Sequence, residues 1–527
     1  MPIRTDSRTD MNRRSFLTGI AAASLCTLGA AGAPVGSASP AGRTREAGTD
    51  LAALGAVEAV RALANGDIRA ESYARALLRR CEAGAGLNAF ISLRPELVLE
   101  AARKCDLRRR SAKALGRLHG LPIAIKDSVN TRDLPTTAGT PALRHFQPGE
   151  DAPLVRALRD QGAVVLGKNN LHELSYGWTS NNYTYGAVHN PYDPTRIPGG
   201  SSGGTAASVA YRMAPLGVAE DTEGSIRVPA ALCGIAGFRP TTGRYPTTAT
   251  APISPRFDQL GPHARAVADL LLFDAVLTGS PARASPPSLK GVRLGVVRSY
   301  FWVGLDPEVE RVSEAALERL RRAGVQLVEG ELPDLPRLIA LSTNQVQSHD
   351  FRPSMTRYLA RYGAGVTFDE LMAQVSPDIG RMIEPAITPG ERDFVPDSAY
   401  REITSAHLPA LRAMYREYFR HSGVSAIVFP ATMLPAPPIA GSEREEDWYV
   451  EVGGRRMPFD DAISRNIAPG STTGLPGLVL PVGLTKDGLP VALELDGPAG
   501  ADRNLLTLGL ALEAALGTLP PPPGAAA

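Results

Sequence analysis

The spacing of hydrophobic residues predicts helices that alternate with short buried strands along most of the chain. Residues 50–82 carry apolar side chains at three- and four-residue intervals, which predicts helical structure with a break near Asn65-Gly66. Continuous apolar runs such as LPIAI at 121–125 are typical of strands buried on both faces. Further helices are predicted at residues 96–111, 152–161, 202–212, 307–323 and 504–516, and further strands at 87–93, 163–166, 292–297, 325–328, 424–429 and 478–482. This alternation predicts an α/β layered fold around a mostly buried mixed sheet.

The first 40 residues have the pattern of an export signal. Arg13 and Arg14 precede a run of small and apolar residues, as in twin-arginine signals. The run is too short and too rich in Ala and Gly for a membrane span, so no stable membrane insertion is predicted. We therefore expect residues 1–40 to be removed and the mature protein to be periplasmic or secreted. The alternative is an apolar N-terminus that stays on the protein.

The remainder of the chain shows no linker that would divide it. Residues 41–519 are predicted to form a single domain, and the Pro- and Ala-rich segment 520–527 is predicted to be disordered. The chain has 527 residues, of which 43% are hydrophobic, so it can bury a sizeable core. Its 56 basic and 54 acidic residues are balanced and form no large basic run, which argues against a nucleic-acid partner.

Cysteine and histidine positions favour neither a metal site nor a disulfide-built scaffold. The four Cys and eight His show no CxxC or HExxH spacing, and no cofactor is predicted. Pairing of Cys81 with Cys105 is open in an oxidising compartment, whereas Cys233 is expected to be a packing residue.

Candidate chemistry is concentrated at three places. The Gly-rich segment PGGSSGGT at 198–205 contains Ser201, Ser225 follows 24 residues later, and Lys126 comes directly after the LPIAI run. Each signal is weak alone, because the Gly-rich segment lacks the order of a phosphate-binding loop and a lone lysine usually pairs with a neighbour such as Asp127. Together, two serines, a lysine and flexible Gly backbone supply the nucleophile, base and oxyanion donors that amide hydrolysis requires.

These segments resemble the amidase signature family. The resemblance spans residues from about 50 to 516 and runs through GLPIAIKDSVNTRDLPTTAGT, PGGSSGG, DTEGSIRVPAALCG and LPGLVLPVGLTKDGLPVALELDG. The segments ELSYGWTSNNYTYGAVHNPYDP and GRYP look most similar to the indoleacetamide and mandelamide hydrolase branch. The family's fold is a large mixed, twisted β-sheet covered by helices on both faces, and the resemblance implies this fold here.

The resemblance also implies roles for individual residues. Ser225 would be the nucleophile, Ser201 the bridging serine that follows a cis peptide bond, and Lys126 the base. Lys126 must be neutral to accept a proton, which requires that its pKa be lowered by burial or hydrogen bonding. The oxyanion would be held by the backbone N–H groups of Thr222, Glu223, Gly224 and Ser225.

Two acidic residues depart from the family pattern beside the nucleophile. Glu223 replaces the first Gly of the common DTGGS motif, and Glu220 replaces a small Thr or Ser. For both residues, a solvent-facing position in a loop and a role toward the substrate are equally open. Arg227 is expected to hold this loop by hydrogen bonds.

The substrate pocket is predicted less directly. Residues 136–140 are candidates for its lining, and an aromatic pair at 176 and 178 favours an aryl acyl group, although two such residues are as often part of a core. The candidate substrate-binding residues are Ser175, Tyr176, Gly177, Trp178 and Gly200.

The sequence thus predicts an amidase that cleaves a carboxylic amide through a serine acyl-enzyme and releases the acid and ammonia. The expected substrate is a small arylacetamide such as indole-3-acetamide or mandelamide. The alternatives are a broader acylamide, peptide-amide or carbamate hydrolase, a tRNA amidotransferase A-subunit, which the export pattern argues against, and an inactive binding homologue. The choice between monomer and homodimer, the signal cleavage site and the chemistry of residues 333–451 stay open.

Overall fold

The structure, a computed structural model, describes residues 50–111, 114–440 and 448–525. The predicted export signal at residues 1–40 lies outside this part of the chain. The described residues belong to one compact unit. Within them, every helix is too short or too polar to cross a membrane.

The strands and helices have the following bounds. The strands are β1 (Phe90–Leu93), β2 (Pro122–Lys126), β3 (Val164–Asn169), β4 (Leu216–Asp221), β5 (Ala236–Arg239), β6 (Gln259–Ala264), β7 (Arg293–Val296), β8 (Gln326–Glu329), β9 (Ala426–Pro430), β10 (Tyr449–Val452), β11 (Arg455–Pro458), β12 (Gly477–Leu484) and β13 (Pro490–Asp496). The helices are α1 (Ala56–Asn65), α2 (Ala70–Ala83), α3 (Pro95–Arg110), α4 (Pro153–Asp160), α5 (Gly203–Ala210), α6 (Arg227–Leu232), α7 (Val267–Thr278), α8 (Arg298–Phe301), α9 (Pro307–Arg322), α10 (Leu335–Ala340), α11 (Thr343–Tyr362), α12 (Phe368–Met372), α13 (Pro377–Ile387), α14 (Asp397–Glu402), α15 (Leu408–Ser422), α16 (Phe459–Ser464), α17 (Ala468–Thr473) and α18 (Asp502–Leu516).

Local sequence explains where several of these helices begin and end. Helix α1 ends at Gly66, whose φ of 81° is a left-handed conformation that glycine adopts without steric cost, and this is the predicted break. Helix α9 begins after Asp306, whose side chain accepts hydrogen bonds from the N–H groups of Glu308 and Val309. Proline stands at its first position, where no N–H is needed.

The described strands form one large mixed sheet and a separate two-stranded pair. Eleven strands follow the order β1-β3-β2-β4-β6-β5-β12-β13-β9-β7-β8, and β10 pairs with β11. Strand β2 is parallel to both of its neighbours, β3 and β4, whereas β4 is antiparallel to β6. The predicted α/β class with a large mixed sheet is confirmed.

Helices cover both faces of this sheet. Gly477 in β12 faces Arg227 of α6, and the next residue, Leu478, packs against Gly509 of α18. Because successive residues of a strand point to opposite faces, α6 and α18 lie on opposite sides of the sheet.

The order of the strands also brings the candidate residues together. Lys126 ends β2 and Asp221 ends β4, and since these strands are parallel neighbours their carboxyl ends lie at the same edge of the sheet. Gly217 in β4 allows Thr205 of α5 to pack directly on this strand; a Cβ at Gly217 would lie 2.5 Å from Thr205 Cγ2. Helix α5 follows Ser201, so its close packing fixes that serine near the same edge.

The C-terminal segment packs on the domain, so the prediction of a disordered tail is wrong for residues 520–525. Tyr192 Oη donates to Pro520 O at 2.8 Å, and Arg80 Nη1 donates to Gly524 O at 2.9 Å. Ala525 is buried. A Pro-rich composition suggested disorder, but these carbonyl groups find donors on the protein surface.

Candidate active site

Lys126 is wholly buried at the end of β2, where its amino group contacts a hydroxyl and a carboxyl group. Its Nζ donates to Ser201 Oγ at 2.7 Å and to Glu220 Oε2 at 2.9 Å. Burial lowers the pKa of Lys126 because it disfavours the charged ammonium, and the Glu220 carboxylate opposes this shift. The structure therefore brings Lys126 and Ser201 into direct hydrogen-bond contact.

Ser201 is held in place mainly through its backbone. The Gly200–Ser201 peptide bond is cis, as the family resemblance implies. Ser201 O accepts hydrogen bonds from the His172 N–H at 3.1 Å and from Ser180 Oγ at 3.2 Å. A Cβ on Gly200 would lie 2.8 Å from the carbonyl carbon of Trp178 and 3.0 Å from Ser180 N. Only glycine fits at this position, which explains why a glycine precedes Ser201. Gly200, a predicted substrate-binding residue, packs against the backbone of Trp178 and Ser180.

Ser225 lies in the turn between β4 and α6, and Asp221 fixes this turn. Asp221 Oδ1 accepts from the Gly224 N–H at 2.8 Å, and Oδ2 accepts from the Ile226 N–H at 3.0 Å. Ser225 is 6% exposed. Because the Gly224 N–H is already bonded to a carboxylate, the predicted oxyanion donors available in this geometry are the N–H groups of Thr222, Glu223 and Ser225.

Arg227 stabilises the same turn, as predicted. It is fully buried, its Nε lies 3.1 Å from Asp221 Oδ2, and its Nη1 lies 2.5 Å from Glu494 Oε1. Arg239 is a second buried partner, with Nη1 3.0 Å from Asp221 Oδ1. Burial alone would raise the pKa of Asp221, but the two guanidinium groups hold it below its usual range. The ionised Asp221 can therefore accept hydrogen bonds from the backbone of the turn at residues 222–226, which carries the predicted nucleophile Ser225 and is called the nucleophile turn below.

Glu220 is buried, so its interpretation as a solvent-facing loop charge is wrong. Its side chain is 1% exposed. In addition to Lys126, its Oε2 accepts from Ser175 Oγ at 2.8 Å and from Ser128 Oγ at 3.1 Å. The predicted substrate-binding Ser175 thus contacts Glu220, in a backbone conformation with a φ of 62°.

Glu223 is also buried, at 8% exposure, and is not a surface charge. Its Oε2 accepts from Gln347 Nε2 of α11 at 2.5 Å. Burial raises the pKa of Glu223 to about 7, and the nearby Asp460 adds to this shift. Burial likewise raises the pKa of Asp460 to about 6. These two acids lie near one another beside the nucleophile turn.

The other candidate pocket residues have different surroundings. Tyr176 contacts Phe351 of α11 edge-on, with ring centroids 4.8 Å apart, in a small apolar cluster. Trp178 is half-buried and packs against the main core. A Cβ on Gly177 would overlap the imidazole of His172, so glycine is required there. In the 136–140 segment, the Thr137 N–H donates to Asp127 Oδ2 at 3.1 Å. Tyr176 is therefore the aromatic candidate with a second ring beside it.

A cleft of about 370 Å³ reaches Glu220 from the side of residues 247–260 and α11. Asp258 lines it as well, and burial together with the Glu220 charge raises the pKa of Asp258 to about 8. Thr222 links the two acids: its Oγ1 donates to Asp258 Oδ1 at 2.7 Å and lies 3.5 Å from Glu220 Oε1.

The contacts that Glu220, Asp258 and Ser128 make in this site were not predicted from the sequence. One signal was available: Glu220 ends the apolar run LGVAE, and a carboxylate that ends a buried strand needs a partner. Lys126, already singled out, was the obvious cation.

The three cysteines of the described chain, Cys81, Cys105 and Cys233, are free thiols, so the disulfide between Cys81 and Cys105 that the sequence left open is not formed. Within the described residues, no group of three His, Cys, Asp or Glu side chains is placed to hold a metal.

Comparisons with known proteins identify the family of the chain. The amidase family model matches residues 73–506. An indoleacetamide hydrolase from Agrobacterium vitis is 40% identical over 441 residues, which covers 84% of this chain and 92% of that protein. A mandelamide hydrolase from Pseudomonas putida is 35% identical over 468 residues, covering 86% and 90% of the two chains.

A solved structure shows the same fold. The crystal structure of an amidase superimposes with a TM-score of 0.79 at 30% sequence identity, covering 88% of this chain and all of that one. Both the family model and the relatives extend over most of the described domain, including the segments that carry Lys126, Ser201 and Ser225. The chain therefore belongs to the amidase family and is an amide-hydrolysing enzyme.

Proposed function

We propose that the protein hydrolyses a small arylacetamide through an acyl-enzyme formed on Ser225, with Ser201 and Lys126 as its proton relay. The observation that carries this proposal is the 2.7 Å contact between Lys126 Nζ and Ser201 Oγ, two fully buried side chains. The relatives named indoleacetamide hydrolase and mandelamide hydrolase support the choice of substrate class.

The reaction would begin with attack of Ser225 Oγ on the amide carbon. Ser225 gives its proton to Ser201, which gives its own to Lys126, and the N–H groups of Thr222, Glu223 and Ser225 stabilise the oxyanion. The relay then returns a proton to the leaving nitrogen, so that the C–N bond breaks and ammonia departs. Water hydrolyses the resulting ester by the same relay and releases the carboxylic acid.

The aromatic contact at Tyr176 supports an aryl acyl group. Its ring meets Phe351 edge-on, and the apolar cluster around both includes Leu174 and Met355. A planar apolar group gains free energy from burial against such a surface, and aromatic pairs add about 0.5–1.5 kcal/mol beyond the buried area. Ser175, next in the chain to Tyr176, donates to Glu220 at 2.8 Å, and this contact supports a position of the aromatic surface near the proposed relay.

The test is a substrate panel on the purified protein, with ammonia release as the readout. Indole-3-acetamide, mandelamide and phenylacetamide are compared with acetamide, peptide amides, anilides and esters. We expect the arylacetamides to have the highest kcat/KM and Ser225→Ala to lower it by at least about 10⁴-fold. Ser208→Ala is the matched control, because Ser208 is equally buried but donates to a carbonyl within α5.

Equal kcat/KM values for aryl and alkyl amides would contradict the substrate class while leaving the amidase chemistry intact. Full activity of a folded Ser225→Ala protein would contradict the proposed nucleophile.

We also propose that the protein is exported by a twin-arginine signal. The supporting observation is the Arg13-Arg14 pair ahead of a short apolar run. Fractionation of a producing bacterium should show the full-length chain converted to a shorter periplasmic or secreted form. Changing both residues to Lys should retain the long form in the cytoplasm, whereas Arg4→Lys with Arg8→Lys should not. Unchanged processing of the Arg13→Lys/Arg14→Lys protein would contradict the proposal.

A further inference from the structure

Glu220 is the one residue beside Ser201 whose side chain bonds to Lys126 Nζ among the described residues. The 2.9 Å distance between Nζ and Oε2 is that of a charge-assisted hydrogen bond, and both side chains are fully buried. A buried carboxyl group beside the proposed base can take up a proton from the amine. The amine and the carboxyl group together can therefore hold one proton more than the amine alone.

The surroundings of Glu220 are built to orient its carboxyl group. Ser175 and Ser128 donate to the same oxygen that Lys126 contacts, at 2.8 and 3.1 Å. Thr222, in the nucleophile turn, lies 3.5 Å from the other oxygen. Two segments distant in sequence, at residues 126–128 and at Ser175, together with the neighbouring Thr222, thus position this carboxyl group.

We propose that Glu220 is a fourth member of the relay, a positioning residue that holds the proton displaced from Lys126 when Lys126 acts as base. This inference rests on the proposed function. In the resting site, the amine and the carboxyl group share one proton. When Ser225 passes its proton through Ser201 to Lys126, the pair holds two, as an ammonium and a carboxylic acid. Protonation of the leaving nitrogen along the same path returns the pair to one proton.

The cleft beside Glu220 is the solvent-facing side of the proposed relay. Glu220 is among the residues that line the cleft, whereas Lys126 is fully buried. In the proposal, proton exchange with water therefore runs through Glu220. The other titratable groups whose charges act on the pair are Asp221, Asp258, His172 and His263. Of these, Asp258 lines the same cleft and reaches Glu220 through Thr222, which makes it a matched control.

The inference has a consequence for pH dependence. The relay stops when the Lys126–Glu220 pair takes up a second proton in the free enzyme. With the carboxyl group present, this proton goes to a carboxylate, whereas without it the proton goes to the amine itself. In short peptides the pKa of a lysine amine lies about six units above that of a glutamate carboxyl group. Removing the carboxyl group should therefore move the loss of activity on the acid side to a higher pH.

The experiment measures the rate at which a fluorophosphonate labels Ser225 between pH 5 and pH 10. Wild type is compared with Glu220→Gln and with Glu220→Ser, which restores the small side chain usual in the family, and circular dichroism verifies folding. In wild type, we expect the labelling rate to fall on the acid side at a lower pH than in either variant. Both variants should reach half of their maximal rate at a pH at least about one unit above that of wild type. Burial raises the pKa of Asp258 to about 8, so this group is already neutral on the acid side, and Asp258→Asn should leave the midpoint within about 0.3 units of wild type.

Each result decides the inference. Superimposable profiles for wild type and a folded Glu220 variant would overturn it, as would an equal shift in Asp258→Asn, which would show only the effect of a nearby charge. If neither variant folds, a wild-type midpoint at or above pH 7 would overturn it. Absence of labelling at every pH would instead count against Ser225 as the nucleophile and hence against the proposed function, so the two failures are distinguishable.

Discussion

Glu223 shows how a single buried acid couples the stability of this site to pH. The folded protein holds the Glu223 proton up to about pH 7, whereas an unfolded chain releases it near pH 4.3. Between these values the unfolded chain binds fewer protons, so the contribution of Glu223 to stability is present below about pH 4.3 and is lost as the pH rises through 7.

Replacing this carboxyl group by an amide should remove the pH dependence. Glu223→Gln keeps an oxygen that can accept from Gln347, and we expect it to be more stable than wild type by about 1–3 kcal/mol at pH 8 and equal to it at pH 4. Thermal unfolding at pH 4, 6 and 8 measures the difference. The same change at Glu82, an exposed residue of α2, is the control. A constant difference across the three pH values would contradict the buried, protonated state of Glu223.

Gly200 illustrates a steric requirement at the same scale. A Cβ at this position would meet backbone atoms of Trp178 and Ser180 at 2.8 and 3.0 Å, and backbone cannot rotate away as a side chain can. We expect Gly200→Ala to destabilise the protein by about 1–3 kcal/mol and to lower kcat at least about tenfold, because Ser201 must shift from Lys126. Gly86→Ala is the matched control, since a Cβ there meets open space. Wild-type activity of Gly200→Ala would show that Ser201 tolerates displacement.

At the scale of elements, α11 passes over the site and contacts it at several turns. Gln347 bonds to Glu223, Phe351 packs on Tyr176, and Tyr358 Oη donates to Asn130 Oδ1 at 2.6 Å. One helix therefore supports both the nucleophile turn and the proposed aryl pocket. This arrangement predicts that a packing change on α11 alters substrate preference as well as stability.

Phe351→Ala is the direct test of this helix. Removal of a fully buried ring that also contacts Phe368 should cost about 3–5 kcal/mol. It should also raise KM for arylacetamides more than for acetamide, because Tyr176 loses its neighbouring ring. Phe351→Leu retains most of the volume and should show a smaller change in both quantities. Unfolding curves and the substrate panel provide the measurements, and a uniform rise in KM for all amides would contradict a pocket at Tyr176.

The sequence predicted some elements of the fold and not others, for physical reasons. Strands β2 and β3 are short apolar runs buried on the sheet, and their hydrophobic pattern is unambiguous. Strand β4 was missed because its apolar run ends in two acids, Glu220 and Asp221, whose burial depends on Lys126, Arg227 and Arg239 far away in the sequence. Pairing across such separations cannot be inferred from local pattern.

For a related reason, no function could be predicted from the sequence for helices α10 to α15. Helix α11 contains Pro353 and divides its apolar residues between separate clusters, with Val346 in one and Phe351 in another. No single apolar stripe therefore marks its function. Lys126, Ser201 and Ser225 were singled out because family motifs identify them. The position of Tyr176 against Phe351, in contrast, depends on a helix 175 residues later in the chain.

At the scale of the whole molecule, the C-terminal segment acts as a strap over the domain surface. It bonds to Tyr192 and Arg80 through two backbone carbonyls, and neither residue contacts Lys126, Ser201 or Ser225 in the hydrogen bonds described above. Deletion of residues 520–527 should lower stability by about 1–2 kcal/mol and leave kcat/KM for the best substrate within twofold of wild type. Tyr192→Phe, which removes one of the two bonds, should give about half of this loss. An unchanged melting temperature after deletion would show that the segment contributes nothing.

The burial of Lys126 also determines how the protein should react with amine-directed reagents. The chain contains six lysines, and two of them, Lys126 and Lys168, are inaccessible and paired with Glu220 and Asp127. Acylating reagents directed at amines should therefore modify the native protein without inactivating it, and the peptides that contain these two residues should gain mass only once the domain opens. Mass spectrometry after brief acylation thus reports the population of molecules in which the catalytic interior is transiently open to water.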